Sequence, residues 1–175
     1  SLMMDERGRN PARIETLAGP VAISANAQGI TADMGPARLR WDEIPLAREM
    51  DTLSLDIADG PMHNPVGVGM GNPHAVFFVD SVANIALSDI GPRIEYHPLY
   101  PKRTNVEIVE VQGPAKLRVR VWERGAGITQ ACGTGACAAL VCAHRRGLIG
   151  RAADIELDGG TLHVEWRDRS EGGHV

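Results

Sequence analysis

Residues 134–146 read Thr-Gly-Ala-Cys-Ala-Ala-Leu-Val-Cys-Ala-His-Arg-Arg, with Gly147 directly after. A threonine near the start, cationic residues in the last turn and a glycine just past the end are helix boundary signals. Residues 136–143 are apolar on every face, which a helix lying on a protein surface would not be. This helix therefore has to be enclosed, and the small side chains of Ala136, Ala138 and Ala139 let the enclosing elements come close.

The rest of the chain supplies candidates for the enclosure. Short alternating runs at residues 21–25, 30–34, 75–79, 106–111 and 117–122 predict strands, as does 14–17. Runs at 154–157 and 162–166 flank Asp158-Gly159-Gly160, a hairpin with a short glycine turn. Between Ser81 and His97 the breaks at Ser88-Asp89 and Gly91-Pro92 predict one weak helical turn and a second helix beginning after Pro92. The expected fold class is α+β, with antiparallel strands dominant and wrapped around a central buried helix. Residues 1–45 have little apolar mass of their own and are expected to be a remnant of an N-terminal domain with crossover strands. Residues 46–175 are expected to form the main domain.

Bulk properties exclude several roles. The net charge is -4, which gives no basic field for nucleic acid or an anionic membrane. Aromatic residues are 4% of the chain, too few for a base-stacking surface. No apolar run approaches the roughly 18 residues of a membrane span, and no signal-peptide pattern follows Met3, so the expected location is the cytoplasm. Cys132, Cys137 and Cys142 recur every five residues, which on a helix turns each about 140° from the last. They neither pair nor converge on a metal, and no metal is expected. Reduced thiols follow.

Cys132 stands where the buried helix begins, after a strand ending in Glu123-Arg124 and a glycine loop. Free amide N–H groups and the positive end of the helix dipole gather there. Such a place favours a thiolate and is expected to draw the thiol's pKa toward neutrality. Gly133 and Gly135 leave the amides open, so a carboxylate can dock on the same donors. The competing reading makes Cys132 a small buried filler, as free cysteines usually are. Cys137 and Cys142 are read as core packing, Glu107 as a solvated strand position between Val106 and Ile108, and the pair Arg145-Arg146 as a complement to the helix C-terminus.

Glu123-Arg124-Gly125-Ala126-Gly127 followed by Ala131-Cys132-Gly133-Thr134-Gly135-Ala136 resembles the signature around the second catalytic cysteine of diaminopimelate epimerases. Gly69-Met70-Gly71-Asn72-Pro73-His74-Ala75 and Arg103-Thr104-Asn105-Val106-Glu107 agree with that family in order and spacing. Asp33-Met34-Gly35 and the segment from Gly91 to Pro98 are further landmarks, so the resemblance covers nearly the whole chain from about Ile14. It implies a cofactor-free amino-acid epimerase of lysine and peptidoglycan biosynthesis, converting LL- to meso-diaminopimelate with two cysteines. Cys132 would be one acid/base thiol, with Glu123 at the substrate amino group and His74 near the thiols. Gly133 and Thr134 would donate N–H groups to the reacting-end carboxylate. Asn72, Asn105 and Arg124 would grip the distal amino-acid end, Arg124 as a bidentate fork. The structural alternatives are turn-capping asparagines at 72 and 105 and a satisfied core histidine at 74.

Two departures qualify the resemblance. The Asn-x-Cys-Gly-x-Gly segment with which the family's first domain supplies its own cysteine is not in this sequence, and Ile128 stands where an acidic residue is common. The chain alone is therefore expected to be inactive, with a homodimer as a further expectation. The other readings are a related racemase acting on proline or another amino acid, a cysteine hydrolase using His74 on Cys132, and a substrate-binding fragment without catalysis.

Overall fold

A computed structural model describes residues 12–16, 19–27, 29–168, 170 and 172–175. The expected strand end at Leu17 and the residues up to Met3 lie outside these. Three N-terminal strands, β1 (Ala12–Thr16), β2 (Gly19–Asn26) and β3 (Gly29–Asp33), form a separate antiparallel sheet in the order β1-β2-β3. Two bridges, β4 (Ala58–Asp59) and β5 (Met62–His63), make a minor hairpin.

The main sheet has seven strands. Its path is β12 (Gly160–Glu165), β11 (Ala152–Leu157), β9 (Lys116–Glu123), β8 (Asn105–Gly113), β7 (Pro73–Phe78) and β6 (Val66–Gly69), with β10 (Gly127–Thr129) added to β9. Pairing is antiparallel except for β11 with β9 and β7 with β8. The strand β6 was not among the sequence expectations, because Gly67 and Gly69 interrupt its apolar pattern. Gly67 packs tightly there: a methyl group on it would lie 3.1 Å from the end of the Leu55 side chain.

Helix α2 (Gly133–Arg145), which follows helix α1 (Leu87–Glu95) in the chain, is buried from Gly135 to Ala143 and packs against β6, β7, β8, β9, β11 and β12, which curl around it. Ala136, Ala138 and Ala139 are fully buried where the strands approach. Leu140 and Val141 are also fully buried, each stabilising by about 1.5–3 kcal/mol. The helix ends in a two-bond glycine cap: Gly147 (φ +71°) donates to the His144 carbonyl and Leu148 to the Ala143 carbonyl. Arg145 reaches past that end to the Gly67 carbonyl and the Thr52 hydroxyl, and Arg146 to the Leu53 carbonyl. The basic pair thus fastens residues 52–67 onto the helix.

The sheet's other face is covered too. Helix α1 (Leu87–Glu95), a single 3-10 turn (Val82–Asn84) and residues 44–62 bury Leu87, Ile90, Ile94, Ile44 and Leu55 against Ala75, Phe77, Val106 and Ile108. The expected helix after Pro92 instead runs through it. Pro92 forfeits one backbone hydrogen bond, and the apolar face on either side of it holds the helix in place. Gly91 lets α1 settle on Trp122, where a methyl group would lie 2.5 Å from the indole.

Covering both faces changes the reading of β8. Val106 and Ile108 face α1 while Glu107, next to Val109, faces α2 and is fully buried. Glu107 is not solvated: alternation along a strand separates two faces but does not say that one of them meets water.

Residues 34–46 pack with this unit. Arg38 pairs with Gly69, Pro36 bridges His174, Val175 exchanges backbone hydrogen bonds with Met34 and Gly35, and Ile44 lies in the core under α1.

Candidate active site at the start of the buried helix

Cys132 is the N-cap of α2, in extended conformation (φ −142°, ψ 109°). Its carbonyl accepts from Ala136 N–H at 2.9 Å, and its sulfur accepts from Gly135 N–H at 3.4 Å and lies 3.4 Å from the Thr134 hydroxyl. The Ala136 bond is the first of the helix, so of the four amides that a helix start leaves open the sulfur uses one, that of Gly135. Those of Gly133 and Thr134 have no protein partner among the described residues.

The expected activation of the thiol is not what the surroundings produce. Burial pushes Cys132 up to about 11, with the carboxylates of Glu107 and Glu123 adding to it, and the bonds from Thr134 and Gly135 offset only part. Desolvation of a thiolate outweighs the helix dipole here, so Cys132 is a thiol at neutral pH. Cys137 rises to about 12, and Cys142, fully buried, rises further, both from burial. All three are free cysteines inside or capping one helix.

Beneath Cys132 lies a buried polar chain. His74 Nδ1 is 2.6 Å from Glu107 Oε1, and His74 Nε2 is 2.8 Å from Asn72 Oδ1. Glu107 Oε1 also abuts Gly135, as does the Cys132 sulfur. His74 therefore has both ring nitrogens bonded, and its partner Glu107 meets the same glycine as the Cys132 sulfur. Sequence reasoning missed Glu107, which its place two residues after Asn105 in a family motif could have signalled.

A second cluster fixes the loop between β9 and β10. Asn105, buried, donates to the Pro73 carbonyl at 2.9 Å and accepts from Arg124 N–H at 2.9 Å, so both ends of its amide bind backbone. Glu95, also missed, accepts from Gly125 N–H at 3.0 Å and from the Trp122 indole at 2.7 Å. Gly125 (φ +78°) and Gly127 (φ +86°) permit the turn that results. Glu123 is half-buried, and its carboxylate has no hydrogen-bond partner among the described residues; the exposed Arg124 guanidinium rests on the Lys102 carbonyl at 3.0 Å.

Strand register draws these groups together. His74 lies opposite Asn105, and Val106 opposite Trp122, so the starts of β7 and β8 and the end of β9 share one edge of the sheet. A cleft of about 620 Å³ between β3 and β12 reaches Gly133 and Cys137, but Asn72, Asn105, Glu123 and Arg124 do not line it. Among the described residues no three His, Cys, Asp or Glu side chains form a metal-binding group, and no helix is long and apolar enough to cross a membrane.

A sequence profile of diaminopimelate epimerase matches residues 66–175. The chain belongs to the diaminopimelate epimerase family. A diaminopimelate epimerase from Rhodospirillum centenum is 53% identical over 176 residues, covering 100% of this chain and 60% of the relative. One from Acidiphilium cryptum is 50% identical over 178 residues, covering 100% of this chain and 62% of the relative. The chain thus spans about three-fifths of the length of these family members. The fold is shared with a hydroxyproline epimerase from Agrobacterium vitis solved with bound trans-4-hydroxy-L-proline, at a TM-score of 0.62 and 17% identity, over 91% of this chain and 51% of that one. In the diaminopimelate epimerase family the chain brings the helix-start cysteine, the Asn-Pro-His motif and the Glu-Arg loop to one sheet edge.

Proposed function

We propose that this chain carries one half of a cofactor-free, two-thiol site that epimerises diaminopimelate, within lysine and peptidoglycan biosynthesis. The observation that carries this reading is the start of α2, where a thiol and two N–H groups without a partner among the described residues, of Gly133 and Thr134, occupy a single turn. A substrate carboxylate on those amides brings its α-carbon beside the Cys132 sulfur. When the α C–H bond breaks, the proton passes to a thiolate and the electron pair spreads into the carboxylate, where the amides and the helix dipole stabilise the added charge. A thiol on the opposite face then protonates the α-carbon. Cys132, a thiol at neutral pH, suits the donor step; as base it needs the substrate to replace the water-poor surroundings with compensating charge.

At the other end of the substrate, Arg124 offers a planar fork to the distal carboxylate, Glu123 its carboxylate to an ammonium group, and Asn72 its amide NH2. Asn105 serves by holding the Arg124 backbone. The catalytic unit in this reading starts at residue 34, where packing onto the main sheet begins. The β1–β3 sheet, with Ile14 and Ile30 exposed, is a surface for a preceding domain or a second copy. A cysteine hydrolase is disfavoured because Glu107 and Asn72 occupy both ring nitrogens of His74, leaving neither to take a proton from Cys132.

The test is deuterium uptake at the α-carbons of meso-diaminopimelate in D2O, together with stereochemical analysis. The chain is mixed with the complementary N-terminal segment of the Rhodospirillum centenum relative. Inversion in the mixture, abolished by Cys132→Ala, is expected; inversion that survives Cys132→Ala would reject the assignment.

A further inference from the structure

The buried pair of His74 and Glu107 lies behind Asn72 and has no part in the roles just described. Both side chains are fully buried, and Glu107 Oε2 has no hydrogen-bond partner among the described residues. From this geometry we infer that Glu107 is a positioning residue. Acting through His74, it fixes the amide of Asn72 with its NH2 group toward the ligand, so that this corner selects a carboxylate. This role rests on the epimerase reading for the identity of the ligand, but not for the orientation of the amide.

Proton counting on the chain Glu107–His74–Asn72 supports this role. Burial raises the Glu107 carboxyl while His74 opposes the rise, so the proton at the 2.6 Å contact resides on either partner. If it is on His74, the ring is an imidazolium with hydrogen on both nitrogens. If it is on Glu107, the carboxylic acid donates to Nδ1 and the neutral ring carries its hydrogen on Nε2. Both arrangements are electrically neutral overall, and both put a hydrogen on Nε2. Two arrangements leave Nε2 bare, and both are disfavoured: a carboxylate accepting from Nδ1–H leaves a net negative charge in a fully buried site, and a Glu107 acid with its proton on Oε2 leaves a buried donor unpaired.

An Nε2–H group can only donate, so Asn72 must turn its oxygen to it, as the 2.8 Å contact has it. The NH2 group is then left facing away from His74, without a protein partner among the described residues. It offers two donors and no acceptor. A carboxylate fits such a corner; a primary amide or an ammonium group fits less well. Without Glu107 the histidine is free to adopt the other tautomer, the Asn72 amide can reverse, and the corner loses its preference.

The experiment uses 15N-labelled histidine and asparagine in the 175-residue chain, read by NMR near neutral pH, for the wild type and Glu107→Gln. The wild type is expected to show His74 Nε2 fully protonated and one set of Asn72 side-chain amide signals. A glutamine amide can donate to or accept from Nδ1 and so satisfies either tautomer. The Glu107→Gln variant is therefore expected to show a mixture of both and a second set of Asn72 signals. Calorimetry on the chain mixed with the complementary N-terminal segment then compares meso-diaminopimelate with its monocarboxamide; the wild type is expected to favour the dicarboxylate about tenfold, and Glu107→Gln to narrow the ratio several-fold. A bare Nε2 in the wild type would overturn the inference, even if the variant failed to fold. So would a Glu107→Gln protein with His74 and Asn72 signals unchanged. If the wild type binds neither ligand, the epimerase reading fails while the NMR result still decides the orientation.

Discussion

Gly135 of α2 and Glu107 of β8 meet so closely that a methyl group on the glycine would lie 3.1 Å from Glu107 Oε1 and 3.3 Å from the Cys132 sulfur. The carboxylate cannot retreat, because its other side is held by His74 at 2.6 Å in a closed interior. Alanine normally gains about 1 kcal/mol over glycine in a helix interior, but overpacking costs about 1–3 kcal/mol. Gly135→Ala is expected to lose net stability in urea unfolding. Gly133→Ala, where a methyl group meets nothing within 4 Å, is expected to stay within about 0.5 kcal/mol of the parent.

Thiol reactivity should follow burial rather than the helix dipole. Cys132 is raised to about 11 from an ordinary value of 9.0, and Cys137 to about 12. Iodoacetamide is expected to label the native protein slowly at neutral pH, Cys132 first, with the rate climbing as pH approaches 11. The linked effect on stability has a definite sign. A thiol whose folded-state pKa is raised lends stability that is complete below about pH 9 and is lost as the pH rises through the folded-state value. Urea midpoints should therefore fall above about pH 9, and less so in Cys132→Ala. First labelling at Cys137 or Cys142 would contradict the site.

The Trp122 indole is held from two sides, by its bond to Glu95 at 2.7 Å and by Gly91, where a methyl group would come within 2.8 Å of three ring atoms. Gly91→Ala is expected to destabilise by about 1–3 kcal/mol and to shift tryptophan emission as the ring leaves Glu95. Adding Trp122→Leu should recover part of the loss, since the two positions share one contact.

Arg124→Lys should leave stability within about 0.5 kcal/mol, since the side chain is exposed and its hydrogen bond among the described residues is to the Lys102 carbonyl. Affinity for diaminopimelate, measured by calorimetry in the reconstituted enzyme, is expected to fall about tenfold because a lysine keeps the charge but not the planar fork. Unchanged affinity would reduce Arg124 to a surface residue.

The sequence made some of this visible for physical reasons. The signals of α2 are local: a uniformly apolar run, basic residues in the last turn and Gly147, whose positive φ closes the helix. Most strands were legible from alternation, and the site's outline from motifs that place Cys132, His74 and Asn105 in order. Glu107 was not legible, because period-two patterning cannot tell that α1 covers one face of β8 and α2 the other. The helix through Pro92 was hidden because its support is tertiary, from Ile90 and Ile94 in the core beneath. The protonation of Cys132 was misjudged because dipole and desolvation oppose each other, and burial cannot be read from spacing.

The 175-residue chain by itself is expected to fold and yet not to invert diaminopimelate. Inversion needs an acid and a base on opposite faces of the α-carbon, and here one thiol caps the helix start while the other two are committed to the core. Cys137 lies about one and a half turns further along α2, and Cys142 is fully buried, with the Val66 carbonyl at 4.0 Å, so neither can swing to the opposite face. His74 cannot substitute, since both of its ring nitrogens are occupied. The exposed Ile14 and Ile30 on the β1–β3 sheet favour self-association, so light scattering should accompany the assay. Circular dichroism confirms folding, and chiral chromatography follows LL- and meso-diaminopimelate over time. Inversion at about 1 s⁻¹ or faster would mean that a second chain supplies the missing group, and a dimer-breaking Ile30→Lys variant would then lose that activity.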